Sequence, residues 1–315
     1  MKKKKFNFAI IGAGKMCVEY SKAINSQKHN LHAIYSRTFK KAKLISTRFK
    51  FKKIYKSLSI LKNDKKIDII IICVSEENVG KIIKKLANSK KIILIEKPIG
   101  LSFYESTKNI QFTKKYLKRS FIALNRRYYP STLDLVKILK RIKSNKKRIL
   151  EVFDCQDKKR FKRLKKHPKV INSMMYANSV HLIDYFDLFC RGNLIRASSL
   201  TNNFSNPNII FSKLEYSSGD IGFYHCSWNQ NSRWKVKLTL NNFKEWTFQP
   251  LESLSEHDLK KNKQNFYKSY NYKFKPGLIG MIQDIIREKE NKKNNLIKPQ
   301  MHLKTINTIK KIYGV

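Results

Sequence analysis

Phe6-Asn7-Phe8-Ala9-Ile10-Ile11-Gly12-Ala13-Gly14-Lys15-Met16-Cys17 is the stretch from which the fold can be read. A short, mostly apolar run ends in two glycines one residue apart, and apolar residues at three- and four-residue spacing follow over Lys15–Ser26. That order is strand, tight turn, helix. The first glycine permits the turn, the second lets the main chain approach a pyrophosphate, and the helix presents its amino terminus to that anion. The third small position, held here by Cys17, packs helix on strand. We therefore expect Gly12, Gly14, Lys15 and Met16 to line a dinucleotide.

Outward from this unit, the first 124 residues repeat the same alternation. Strands are predicted at Phe6–Ile11, Leu31–Ser36, Ile67–Val74, Lys91–Ile95 and Ser120–Leu124, with helices at Lys15–Ser26, Phe39–Phe49, Asn78–Asn88 and Ser102–Lys118. Ile67-Asp68-Ile69-Ile70-Ile71-Ile72-Cys73-Val74 is almost continuously β-branched, as befits a strand covered on both faces. This predicts a Rossmann-type, doubly wound parallel sheet over residues 1–124. Beyond Pro130 the pattern changes to a helix (Thr132–Ile142), a strand near Arg148–Phe153, an exposed basic loop from Lys158 to Lys169 and a helical stretch over Ala177–Cys190. Strand-like runs at Ile209–Tyr216, Asp220–Trp228, Trp234–Leu240 and Glu245–Gln249 precede two helices, Gly277–Lys289 and Gln300–Tyr313. Residues 125–315 should thus form an α+β domain with a mostly antiparallel open sheet.

At the end of the second strand a site specific for NAD commonly offers a carboxylate to the adenosine ribose. This chain offers Tyr35-Ser36-Arg37-Thr38, with no acid to repel a 2′-phosphate. Ser36 and Arg37 suit phosphate recognition, so we expect NADP(H) in preference to NAD(H). Val74 and Ser75, and Glu96 and Lys97, stand at the ends of two further strands and complete the expected cofactor lining.

Composition bounds the alternatives. With 315 residues and 41% apolar residues the chain has room for two packed domains. The 68 basic against 22 acidic residues give +46, yet the lysines are spread through every segment alongside abundant Asn and Ile. A compositional bias accounts for that as well as any ligand does, so nucleic acid is not the expected partner. Cys17, Cys73, Cys155, Cys190 and Cys226 form no closely spaced pair, which argues against a disulfide framework or zinc site and for a reducing cytoplasm. The apolar run after the lysine-rich start breaks at Gly12, unlike a signal peptide, and no stretch approaches a membrane span.

Ile95-Glu96-Lys97-Pro98-Ile99 and Leu124-Asn125-Arg126-Arg127-Tyr128-Tyr129-Pro130, taken with the glycine turn, resemble the glucose–fructose oxidoreductase and inositol dehydrogenase family (Gfo/Idh/MocA). The resemblance spans nearly the whole chain and is similar to members of surface-polysaccharide and nucleotide-sugar pathways. It implies hydride transfer between a nicotinamide and a ring carbon of a sugar or nucleotide sugar. Lys97 would polarise the reacting oxygen, and His181, in Ala177-Asn178-Ser179-Val180-His181-Leu182-Ile183-Asp184, would be the acid/base. Asn125, Arg127, Tyr129, Tyr176 and Asn178 are the implied substrate ligands, and Asp184 a support beneath the site. Trp228 and Trp234 read as packing residues. One departure stands out: many members carry Asp four residues before the histidine, where this chain has Ala177. An altered or inactive nucleotide-binding scaffold, or a reductase of another carbonyl or imine, are the rival readings. The open sheet of the second domain is the expected surface for a homo-oligomer.

Overall fold

The computed structural model describes residues 4–142, 146–201, 203, 209–228, 233–240, 244–258, 260–261, 263–266 and 274–315. Two compact units emerge, one made of residues 1–125 and 272–303, the other of residues 126–271 and 304–315.

In the first unit the chain runs β1 (Asn7–Ile11), α1 (Lys15–Ser26), β2 (Asn30–Tyr35), α2 (Phe39–Phe49), β3 (Lys53–Tyr55), α3 (Leu58–Asn63), β4 (Ile69–Ile72), α4 (Val79–Lys85), β5 (Ile92–Glu96), α5 (Phe103–Tyr116) and β6 (Ser120–Ala123). The six strands are parallel in the order β3-β2-β1-β4-β5-β6, the doubly wound arrangement expected from the sequence. Every residue of β4 and β5 is buried, because helices cover both faces of the sheet. The short edge strand β3 and helix α3 had no counterpart in the sequence reading. Three residues beginning with an exposed lysine are too few to display a period.

In the second unit α6 (Pro130–Arg141) leads to β7 (Arg148–Gln156), α7 (Lys158–Arg163), α8 (Pro168–Asn172), a π-helical turn over Met175–Ser179 and α9 (Val180–Phe189). Strands β8 (Leu194–Thr201), β9 (Ile209–Tyr216), β10 (Ile221–Trp228), β11 (Lys235–Leu240), β12 (Lys244–Phe248), β13 (Ser255–Asp258) and β14 (Lys263–Phe266) follow. They join β7 in an eight-stranded sheet, β14-β13-β12-β11-β7-β10-β9-β8, in which only the β7–β10 pair is parallel. The mostly antiparallel open sheet is as expected. The basic segment from Lys158 corrects the reading, for it forms α7 and the start of α8 instead of a loop. Asp157 caps α7 by accepting from the Arg160 N–H at 2.7 Å, and Pro168 opens α8. Helices of 6 and 5 residues bury too little to imprint a pattern.

The chain ends with α10 (Leu278–Lys289) and α11 (Pro299–Tyr313). The first unit is discontinuous: α10 buries Leu278, Met281, Ile282 and Ile285 and packs against α1, and Ile297 bridges to Ile122 beside β6. The sequence reading had assigned this stretch to the second domain. Among the described residues no helix is long and apolar enough to cross a membrane.

Candidate functional site

In the first unit the glycine turn is built for close approach. Gly12 has φ of +122°, and a Cβ there would lie 2.4 Å from the Cys73 carbonyl oxygen, so no side chain fits. Its N–H donates to the Tyr35 carbonyl at 2.8 Å, tying the turn to the end of β2. Gly14 differs in kind, since a Cβ there would meet nothing within 4 Å. Its missing side chain leaves open space at the amino terminus of α1, where no side-chain cap and no first-turn acid compete for the free amides. That space and that polarity fit the pyrophosphate of a dinucleotide. Lys15 and Met16 form the first turn beside it. Cys17 is fully buried next to Cys73, whose thiol its hydrogen bond and burial push up.

The carboxyl ends of the neighbouring strands carry the other expected cofactor residues. After β2, Ser36 accepts from the Thr38 N–H at 3.2 Å and Arg37 is exposed. After β4, Val74 is half-buried and the Ser75 hydroxyl donates to Glu77 at 2.6 Å. Glu96, which ends β5, is buried and accepts from the Tyr20 hydroxyl of α1 at 2.6 Å, while burial and this carboxylate push the phenol up. Its visible work is to fasten helix to strand. Lys97 follows at once, half-buried, with a cis peptide to Pro98. The turn continues into Gly100, where a Cβ would stand 2.5 Å from the Ser106 amide, so this loop lies directly on α5. Asn125, an expected substrate ligand, is buried and donates to the Pro276 carbonyl at 3.0 Å.

In the second unit the expected ligands are largely engaged within the protein. The Arg127 guanidinium grips Asp184 with two parallel bonds, Nε to Oδ2 at 2.7 Å and Nη2 to Oδ1 at 2.8 Å. Thr305 donates to both Asp184 at 3.1 Å and Asp187 at 2.6 Å. Burial, then the charge of Asp184, pushes the Asp187 carboxyl up to about 6. Asp184 therefore serves as the anchor of Arg127. On the same helix His181 is 4% exposed. The Tyr176 hydroxyl donates to the Val315 carbonyl at 2.6 Å, and Tyr129 is buried. Asn178 donates to the Gln156 carbonyl oxygen at 2.9 Å, and Gln156 in turn donates to Asp154 at 2.6 Å and to Ser179 at 3.0 Å. Asp154, also bonded by Tyr224 at 2.8 Å, has its carboxyl pushed up by burial. Trp228 is buried, and Trp234 lies 4.1 Å beneath the Arg126 guanidinium. Asp154, Gln156, Asp187 and Thr305 were missed from sequence. The first two carried a signal, since alternation puts them on the same strand face as Leu150 and Val152.

The model of an oxidoreductase family with an NAD-binding Rossmann fold, Gfo/Idh/MocA, matches residues 6–124. Over that domain the chain is similar to the Gfo/Idh/MocA family. Solved structures share the fold along its full length. An oxidoreductase from Thermotoga maritima is 16% identical with a TM-score of 0.80, covering 98% of this chain and 96% of its own. A levoglucosan dehydrogenase in complex with NADH and L-sorbose is 14% identical with a TM-score of 0.80, covering 98% and 96%. A UDP-N-acetylglucosamine 3-dehydrogenase from Acidithiobacillus ferrooxidans is 11% identical with a TM-score of 0.78, covering 99% and 98%. Comparison with curated protein sequences finds no match. Residues 6–124 thus match the NAD-binding Rossmann domain of that oxidoreductase family, and the solved structures show that the rest of the chain shares their fold.

Proposed function

We propose that this oxidoreductase transfers hydride to or from a ring carbon of a sugar or nucleotide sugar, with NADP(H) preferred over NAD(H). The observation that carries the reading is Lys97 immediately after β5, on the same edge of the parallel sheet as the Gly12–Gly14 turn and two strands from β1. Ligands of open α/β sheets bind at that edge. The bound nicotinamide supplies the hydride acceptor or donor. In the oxidative direction the Lys97 ammonium hydrogen-bonds the reacting hydroxyl oxygen and stabilises its growing negative charge. His181 takes the hydroxyl proton and returns it in the reverse direction. The absence of a carboxylate over Tyr35–Thr38, with Arg37 exposed, supports the 2′-phosphorylated cofactor.

Fluorescence titration with NADPH and NADH, followed by an absorbance screen of nucleotide sugars and free sugars, tests this. His181→Asn should lower kcat about a hundredfold and leave cofactor affinity unchanged, and Lys97→Met should lower kcat at least as far. Full turnover by either variant refutes the assignment. Ala177, buried at the position where many members of the resembled family carry an acid, favours one rival, a nucleotide-binding scaffold; it predicts NADPH binding with no sugar-dependent absorbance change.

We further propose that a second copy of this chain covers the open face of the eight-stranded sheet. That face leaves Leu200 77%, Phe211 50% and Phe223 44% exposed. They surround a hollow of about 490 Å³ that Phe153 and His225 also line. Among the described residues its charged side chains are Arg196, Lys213, Lys235 and Lys237 against Glu151, Glu215 and Glu245, with Lys237 bridging Glu151 and Glu245. In a chain of +46 this near-neutral apolar face is where two like-charged copies meet at least electrostatic cost.

A further inference from the structure

The second unit holds a buried positive charge that the chemistry proposed above does not use. β7 and β10 end side by side, with Cys155 opposite Ser227 and Gln156 opposite Trp228. Trp234, the residue just before β11, donates from its indole to the Cys155 carbonyl at 3.0 Å, which fixes the ring at this end of the sheet. The Arg126 guanidinium lies over that ring, 4.1 Å from its centroid. Such stacking leaves the N–H groups at the guanidinium edge to bond in their own plane. Arg126 is 9% exposed, yet among the described residues its Nη1 meets no acceptor. The indole N–H of the buried Trp228 meets none either. The polar groups nearby are already engaged. Asp154 accepts from Tyr224 and Gln156, and Gln156 also bonds Ser179 and Asn178. Asp154 feels the charge of Arg126 without accepting a hydrogen bond from it. Buried donors without acceptors are costly, charged ones most of all, so this end of the sheet is short of an acceptor. Cys155, Asn178 and Trp234 are only half-buried, so the cluster meets solvent.

We propose that Arg126, held on Trp234, binds a carboxylate of the substrate, so that the sugar this chain acts on is a sugar acid, free or nucleotide-linked. The inference rests on the sugar reading and on the role given there to His181. Three features favour a carboxylate. It is planar with two acceptor oxygens, which suits the in-plane edge of a guanidinium. It brings one negative charge to one buried cation, whereas a phosphate group brings nearly two and leaves the excess uncompensated away from water. The bonds from Asp154 through Gln156 to Ser179 also link this end of the sheet to the turn that opens α9, where His181 follows Ser179 by two residues. Arginine suits the role better than lysine, because burial does not deprotonate it and its plane can rest on a ring.

The test is calorimetric titration of the full chain, with NADPH present, using glucuronate and UDP-glucuronate, their neutral counterparts glucose and UDP-glucose, and glucose 6-phosphate. The parent should bind at least one acid about thirtyfold more tightly than its neutral counterpart, the effect of one charge-assisted contact. Arg126→Met, which keeps the stem, should bring that ratio close to one, and Arg126→Lys should recover part of it. Trp234→Leu keeps the cation and removes its platform; it should lower the ratio about threefold, and it decides the matter if the methionine variant does not fold. A parent without preference for either acid, or a preference that survives in Arg126→Met and Trp234→Leu, overturns the subsite. Tighter binding of glucose 6-phosphate than of glucuronate overturns it too, since the contact then belongs to a phosphate. If the acids fail while the absorbance screen finds a neutral sugar substrate, the subsite falls and the sugar reading stands. An empty screen sinks both.

Discussion

Replacing Arg127 by Met decides whether this residue is a substrate ligand, as its sequence motif implies, or the partner of a buried carboxylate. Its guanidinium makes two bonds of 2.7 and 2.8 Å to Asp184, with the two side chains 17% and 5% exposed. Methionine keeps the stem and removes the charge. Asp184 is then left buried with the Thr305 hydroxyl and with Asp187 beside it, a like charge. Breaking one side of such a pair costs about 3–5 kcal/mol, most of it the desolvation of the stranded carboxylate. Urea denaturation of the whole chain should show a loss of that size. The double variant Arg127→Met with Asp184→Leu should recover more than half of it, because no buried charge remains. A ligand predicts the opposite pattern. If Arg127→Met unfolds at the same urea concentration as the parent but raises KM for the sugar, the anchoring role is wrong.

Two further perturbations follow from the second unit. The Asp187 carboxyl, raised to about 6 from an ordinary 3.8, binds its proton more tightly in the folded than in the unfolded chain. Stability therefore falls as pH rises from about 4 to about 6 and is flat above; the separation corresponds to at most about 3 kcal/mol. Asp187→Asn, which still accepts from Thr305, should match the parent at pH 4 and exceed it at pH 7.5, and urea midpoints that differ equally at both pH values refute the linkage. On the open sheet face, Phe211→Asp places a charge at a half-exposed site and should convert a dimer to a folded monomer in light scattering. A parent chain that is monomeric at tens of micromolar removes the proposed interface.

What could be read without coordinates divides along a physical line. β1, β4 and β5 were legible because a strand buried on both faces is apolar along nearly its whole length, and Ile69–Ile72 is isoleucine throughout. Gly12 was legible because only glycine tolerates φ of +122° against the Cys73 carbonyl. The helices α7 and α8 and the edge strand β3 were not, because they bury too little surface to leave a period. The polar residues show the same limit more sharply. Arg127 and Asp184 are 57 residues apart, and Asn125 and Pro276 are 151 apart. A local motif names such a side chain as a donor but carries no information on which acceptor the fold will bring to it. For Asn125 the acceptor is the Pro276 carbonyl just before α10, so a residue read as a sugar ligand helps fasten a distant segment of its own unit. The same reasoning applies to Asp154 and Gln156. Polar residues at core positions of an alternating strand must be satisfied from elsewhere, and Gln156, bonded at once to Asp154, Ser179 and Asn178, shows that the satisfaction falls on the turn leading into His181. The turn that precedes that histidine is accordingly held by the β7 network as well as by its own helix.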